Sequence, residues 1–282
     1  MDIRIDHKTT YGFDTASMHS IQTLRVTPQA FAGQRIGRWM VTGNGRRDLP
    51  EIEDAFGNVI HTLTTSEPHE GVTVMVSGVV STIDTSGVVK GLTETMPAAV
   101  YLRDTNLTKP DDAIRDLAGT ALKDPLETAH QLMSAVRTAV NYRTGATDIA
   151  TSAIQALAAG EGVCQDHAHV MIACARVLGI PARYISGYLA SADGGQVHEA
   201  SHAWAELRVE GLGWVGFDAA NNVCPTDCYV RVAHGLDYQG AAPVIGMRRG
   251  IGTDILTVNV EVAPVAQQDQ ALAGDLDKAY EE

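Results

Sequence analysis

Basic side chains are scarce in this sequence. Its 282 residues carry 21 Lys and Arg against 34 Asp and Glu, a formal charge of −13. Phosphate backbones are held by clustered Lys and Arg, so the balance argues against a nucleic-acid partner. No run approaches the roughly 18 consecutive apolar residues of a membrane-spanning helix. The opening "MDIRIDHKTTYGFDTASMHS" has neither the basic start nor the apolar block of a secretory signal. Cysteine is rare too. Cys164, Cys174, Cys224 and Cys228 all lie in the second half, and their spacing makes no disulfide framework. Together these absences predict a reduced, cytoplasmic protein with no membrane partner.

What is present suits a folded chain. Apolar residues make up 45%, normal for globular proteins, and the length suggests two domains of ordinary size or one large one. Residues 1–104 read as β: "DIRIDHKTTYGF", "SIQTLRVTP", "GRWMVTG" and "GVTVMVSGVVSTI" alternate or are β-branched, with Gly, Pro, Asn and Asp between them. "DAFGNVIHTLTT" places Gly57-Asn58 between apolar runs, a hairpin turn. The spacing predicts a β-sandwich, which by itself implies no activity. Helical periodicity begins after Thr105, with starts near Pro110 and Pro125. Helices are expected through "KPDDAIRDLAGTAL", "PLETAHQLMSAVRTAVNY" and "TDIATSAIQALAAGEG". An amphipathic helix beginning at Cys164 and ended by Gly179-Ile180-Pro181 follows. "ARYISGYLA", "HAWAELRV", "WVGFDAA" and "DILTVNVEVAPV" read as strands. The fold class is therefore α+β: a sandwich-like domain over 1–104, a core over 105–262, and an acidic tail over 263–282 that is frayed or disordered.

Cys164 stands at the first position of its helix, between glycines and a polar run, in "GEGVCQDHAH". A helix N-terminus carries about half a positive charge and unpaired N–H groups. A thiolate is stabilised there, and the same N–H groups can hold an oxyanion. Gly160 and Gly162 would let substrate approach the backbone. Cys174, mid-helix, reads as a small buried hydrophobe. Zinc is the rival chemistry, with Cys164, His167 and His169 near each other and Cys224 and Cys228 as a further pair. Residue 169 lies about 140° around a helix from residue 164, however, so the three share no face. No metal and no cofactor are expected. His167 and His169 read as helix-surface or packing residues, and His198 as loop.

A thiolate enzyme also needs a base and a group to orient it. "SHAWAELRVEGLGWVGFD" reads as strand, glycine turn, strand, with His202 on the first and Asp218 on the second. The loop length decides whether they meet. A two-residue loop sets Asp218 opposite Ala205 and turns His202 to the other face. A three-residue loop, Glu210 to Leu212, sets Asp218 opposite Trp204. His202 is then its diagonal neighbour on one face, roughly 7–8 Å away. A cysteine–histidine–aspartate site demands the second register, or a bulge. Trp204 and Trp214 read as core or cleft wall.

"GEGVCQDHAH", "GIPARYISGY", "HAWAEL" and "GWVGFDAANN" together resemble the transglutaminase-like superfamily, and within it the bacterial transglutaminase-like cysteine proteases. "GQRI", "DAFGN" and "PHEGVTV" in the front are similar to that family's N-terminal region, and "AHGLDYQGAAPVIGMRRG" to its C-terminal part. The resemblance implies a papain-like α+β core with Cys164 as nucleophile, His202 as base and Asp218 as orienter. It implies attack on an amide carbonyl, a thioester, and release by water or by an amine. The Cys164 N–H would donate to the oxyanion, with Tyr142 as second donor. Gln165 would shape the site, Trp204 would line it, and Asn221 keeps the last position of a run that is often Pro-Thr-Asn in relatives. Leu236 stands where relatives often have a basic residue, and no calcium site can be read. The expected activity is that of a cysteine-dependent amidohydrolase or protease on a peptide or protein substrate. Acyl transfer to an amine is the second expectation, and a silent binding module of the same fold the third. The N-terminal domain offers a surface for a protein partner, and the oligomeric state is not encoded legibly.

Overall fold

Alternation of side chains builds the front of the chain. Between His19 and Thr27 every second residue is buried: Ser20, Gln22, Leu24 and Val26, the pattern of a strand with one face inward. The computed structural model describes residues 1–191 and 201–265. Six strands come first: β1 (Asp2–Ser17), β2 (His19–Thr27), β3 (Gln34–Gly43), β4 (Glu51–Glu53), β5 (Val59–Thr65) and β6 (His69–Thr82). After β7 (Val88–Val89) come α1 (Asp112–Ala118), α2 (Pro125–Ala139), β8 (Asn141–Tyr142), α3 (Ala153–Ala159), β9 (Glu161–Gly162) and α4 (Cys164–Val177). The chain continues through β10 (Ala182–Leu189), β11 (Ser201–Val209), β12 (Gly213–Phe217), β13 (Tyr229–Gly235), α5 (Tyr238–Ala241), β14 (Val244–Arg249) and β15 (Asp254–Pro264).

Two four-stranded sheets, β15-β1-β6-β3 and β14-β2-β5-β4, form the sandwich. Leu24, Val26 and Leu63 of one meet Val72, Val74 and Val76 of the other. The hairpin between β4 and β5 turns at Gly57, φ +83°, with the Asp54 carboxylate accepting the N–H groups of Phe56 and Asn58. The sandwich is built from both ends of the chain, which a contiguous core over 105–262 does not allow for. β14 pairs with β2 and β15 with β1, while β7, from the front, pairs with β12. The edges of β1 and β2 would otherwise present unpaired backbone groups. Ala263 and Pro264 thus belong to β15 rather than to the tail. His198 and residues 266–282 lie outside the described residues.

The second sheet system is β13-β10-β11-β12-β7. Helix α4 packs on β10 and β11, and α1, α2 and α3 pack on α4. Helix α4 is not the amphipathic helix that its sequence suggested, because every residue from Gln165 to Arg176 is buried. Most of its polar atoms find partners inside, while Asp166 Oδ1 and His169 Nδ1 are buried without one. Arg176 donates to the carbonyls of Tyr101, Ala182 and Leu236 and to the Thr108 hydroxyl. Both ring nitrogens of His167 lie 2.9 Å from carbonyls, of Val163 and Val140. Cys174 is a packed core residue whose thiol burial pushes up to about 12. On the sheet, Glu206 is held between Arg183 at 2.6 Å and Arg231 at 2.8 Å. Among the described residues no helix is long and apolar enough to cross a membrane.

His169 gives the fold a pH dependence. Its Nε2 accepts the Tyr238 N–H at 3.1 Å, so its single proton sits on Nδ1. Burial, helped by the Arg176 charge, lowers its pKa to about 3. Between about pH 6.5 and 3 the unfolded chain binds a proton here that the folded chain refuses, so stability falls as pH drops through that window. We expect His169→Gln, which keeps an acceptor but cannot titrate, to flatten this fall by up to about 1.4 kcal/mol per pH unit. Urea unfolding of both proteins at pH 7 and pH 5 checks it.

Candidate active site

Cys164 is placed by the turn before it. Ser152 and Gln155 cap α3 at its start, and Gly160, φ +67°, closes it. The Asp166 carboxylate then folds back to accept the Val163 N–H at 2.8 Å and the Thr147 hydroxyl at 2.5 Å. This is the reach-back half of a capping box. A Cβ on Gly162 would stand 2.7 Å from Asp166. The two glycines therefore serve the turn itself rather than an approach by substrate. Cys164 is half-buried at the head of α4 and lines a cavity of ≈ 270 Å³ together with Gln165 and His202.

The hairpin of β11 and β12 adopts the register the site requires. Val209 pairs with Gly213 and Ala205 with Phe217, across the three-residue turn Glu210 to Leu212. Asp218 follows directly and is bridged to Val223. His202 Nε2 lies 2.6 Å from Asp218 Oδ2, with both side chains almost fully buried. That bond leaves Nδ1 of the imidazole for another partner, and Cys164 lines the same cavity as His202.

Burial works against the charged imidazole. The hydrogen bonds and charges of Asp218 and Cys164 outweigh it and push the His202 pKa up to about 10. Burial would likewise raise Asp218, but its hydrogen bonds and the His202 charge hold it below the usual carboxylate range. Asp218 Oδ1 accepts the N–H groups of Ala220 and Asn221 at 3.0 and 3.2 Å. Oδ2 accepts Asn221 Nδ2 at 2.7 Å and the Tyr229 hydroxyl at 2.8 Å. Around neutral pH the pair is an imidazolium on a carboxylate. Such a pair can support a thiolate, donate a proton to a departing group and take one back.

The remaining predicted site residues fall in different places. Gln165 lines the cavity, and its Nε2 lies 3.5 Å from the Ile149 carbonyl. Trp204 is buried and stacks on the His202 ring, centroids 6.4 Å apart, so it backs the imidazole from within the core. Asn221 touches Asp218 rather than the cavity. Tyr142 pairs with Gly162 across β8 and β9 and has its ring 6.1 Å from that of His167. It is not among the described residues that line the cavity. His167 and His169 are core residues. Among the described residues no group of three or more His, Cys, Asp or Glu is arranged to hold a metal ion. Tyr229 is the residue that the sequence did not disclose. It opens β13, which no alternation announced, and β13 reaches the site only by pairing with β10.

A cysteine, a histidine and a buried aspartate are thus gathered at one helix terminus of an α+β core. Comparison with known proteins agrees with that class. The family model of the transglutaminase-like superfamily matches residues 115–219, and that of the bacterial transglutaminase-like N-terminal region matches residues 3–81. An uncharacterized protein of Mycobacterium tuberculosis is 30% identical, covering 93% of this chain and 92% of its own. An uncharacterized protein of Mycobacterium leprae is 29% identical, covering 94% and 99%. The fold is shared with a protein of Cytophaga hutchinsonii provisionally described as a cysteine protease, at 23% identity, 95% and 91% coverage and a TM-score of 0.75. The chain belongs to the transglutaminase-like superfamily, with the bacterial N-terminal region in front of the core.

Removing the Tyr229 hydroxyl deletes one donor to a buried carboxylate. Hydrogen bonds to charged groups contribute about 1.5–3 kcal/mol, and Tyr229→Phe is expected to cost that much stability. In an Asp218→Asn background the cost should shrink, a coupling that a double-mutant cycle by urea unfolding measures. Equal costs in both backgrounds would assign the loss to packing.

Proposed function

We propose that this protein is a cysteine-dependent amidohydrolase that opens a peptide or peptide-like amide through a thioester on Cys164. The observation that carries the proposal is the Cys164–His202–Asp218 array, with the thiol and imidazole lining one cavity and the imidazole fixed at 2.6 Å on a buried carboxylate. His202 Nδ1 already holds the proton that the thiol has given up, and the thiolate sulfur attacks the amide carbon. The oxyanion forms beside the first N–H groups of α4, which have no partner one turn earlier in the helix. Collapse expels the amine, which leaves with the proton from His202. Water, giving its proton to His202, then opens the thioester to the acid. Tyr142 is retained as a proposed second oxyanion donor, and Gln165 as a contact to substrate. An amine entering in place of water would make the same intermediate an acyl donor. The four cysteines are free, which supports a reducing, cytoplasmic setting.

4-Nitrophenyl acetate tests the nucleophile without a known substrate. We expect a burst of nitrophenolate and an acetyl adduct that peptide mapping places on Cys164. Cys164→Ala should lose both, and His202→Ala should slow acylation by about 10²–10⁴-fold, the usual contribution of a general base. Adding glycinamide separates the fates of the adduct: unchanged turnover means water is the acceptor, and acetylglycinamide means acyl transfer. A burst that survives in Cys164→Ala would sink the proposal.

A further inference from the structure

The cavity at Cys164 has two walls of different origin. Cys164, Gln165, His202 and Ala203 form one. The other is supplied by the sandwich: His7, Thr9 and Tyr11 from β1, with Leu256 and Val258 from β15. Strand register explains how. Antiparallel partners share a face of the sheet, and Tyr11 pairs with Leu256, Thr9 with Val258, His7 with Val260 and Ile5 with Val262. At one end of this face Ile3, Ile5 and Val262 are sealed in a core with Val230, Val232 and Tyr188. At the other end the same face reaches the cavity, and there Leu256 and Val258 are 55% and 47% exposed. Exposed apolar side chains grouped beside a reactive group mark a binding surface more often than chance.

This wall also carries no formal charge. Among the described lining residues there is no Asp, Glu, Lys or Arg. His7 is occupied, with Nδ1 2.8 Å from the Tyr188 hydroxyl and Nε2 2.9 Å from Thr9 Oγ1. Burial lowers its pKa to about 4, so it is neutral at working pH. Ser186 donates to the Ala241 carbonyl at 2.6 Å. His7, Thr9 and Ser186 are used up inside the protein, and a charged ligand group placed against this wall would meet the Tyr11 hydroxyl but no opposite charge.

We propose that the sandwich wall is the acyl pocket: it holds an uncharged aliphatic or aromatic group attached to the carbonyl that Cys164 attacks, with Leu256 and Val258 setting the preference. The inference rests on the nucleophile assignment above. The acyl side is the one to place here because the wall runs into sealed core. A closed end suits the part that stays through the thioester, whereas the amine must leave to solvent. The N-terminal region is then part of the substrate site, which requires both ends of the chain to be docked before specificity exists.

Binding and acylation together test this. In the Cys164→Ala protein, phenylacetamide should bind at least tenfold more tightly than glutaramate, the monoamide of glutaric acid. NMR titration should move the signals of Val258 and Thr9. Leu256→Asp, at an exposed position that the fold tolerates, should abolish the preference, and Val258→Ala should weaken phenylacetamide binding. With wild type, 4-nitrophenyl phenylacetate should acylate Cys164 at least tenfold faster than the acetate ester. Equal binding of the two amides, or a preference for glutaramate, overturns the pocket whatever the esters do. Selective phenylacetamide binding without acylation by either ester upholds the pocket and removes the nucleophile beneath it.

Discussion

The bond between Asp218 Oδ2 and His202 Nε2, 2.6 Å long and shut away from water, sets the conditions for the rest of the site. A carboxylate moved into such surroundings without partners would simply take up a proton. Here it receives two backbone N–H groups, an amide and a phenol besides the imidazole. The donors come from three parts of the chain: the imidazole from β11, the phenol from β13 and the rest from the turn closed between Asp218 and Val223. The turn uses the backbone of Ala220 and not its side chain.

Holding that bond in place is the task of the sheet behind it. β10 lies between β11 and β13, and the Arg183–Glu206–Arg231 cluster ties all three strands together. The Glu206 carboxyl is kept below its usual range because the two guanidinium groups outweigh its burial. Truncating one member of such a cluster strands a buried charge, typically costing about 3–5 kcal/mol. Helix α4 is fixed from all sides and from within, through Arg176 and His167. A side chain at the head of a helix buried from Gln165 to Arg176 moves little, and small displacements are costly where reacting atoms must meet. The sandwich contributes by closing the cavity rather than by standing apart from it.

Much of this was legible in the sequence, for identifiable reasons. Local chemistry marked Cys164, Pro125 and Gly57, because caps and turns depend on neighbours in the chain. The loop Glu210 to Leu212 set the register of the hairpin, so the meeting of His202 with Asp218 could be posed as a condition and met. What escaped is what long-range pairing decides. β13 and β14 were not read as strands, and the return of β15 to β1 joins residues some 250 positions apart. Tyr229, His7 and Thr9 became site or cavity residues through those pairings alone. The amphipathic reading of α4 failed because His167, Arg176 and one oxygen of Asp166 find partners in the interior, where polarity no longer signals exposure.

The central claim is that His202 is held as an imidazolium by Asp218 and Cys164, and proton–nitrogen NMR of its ring tests this most directly. The signals would be assigned by their loss in His202→Ala and followed from pH 5 to pH 11. The account predicts that the ring keeps both protons through neutral pH and loses one only near pH 10, and that Asp218→Asn brings the transition down. A His202 that titrates near 6.5, the ordinary value for an imidazole, in both proteins would contradict it.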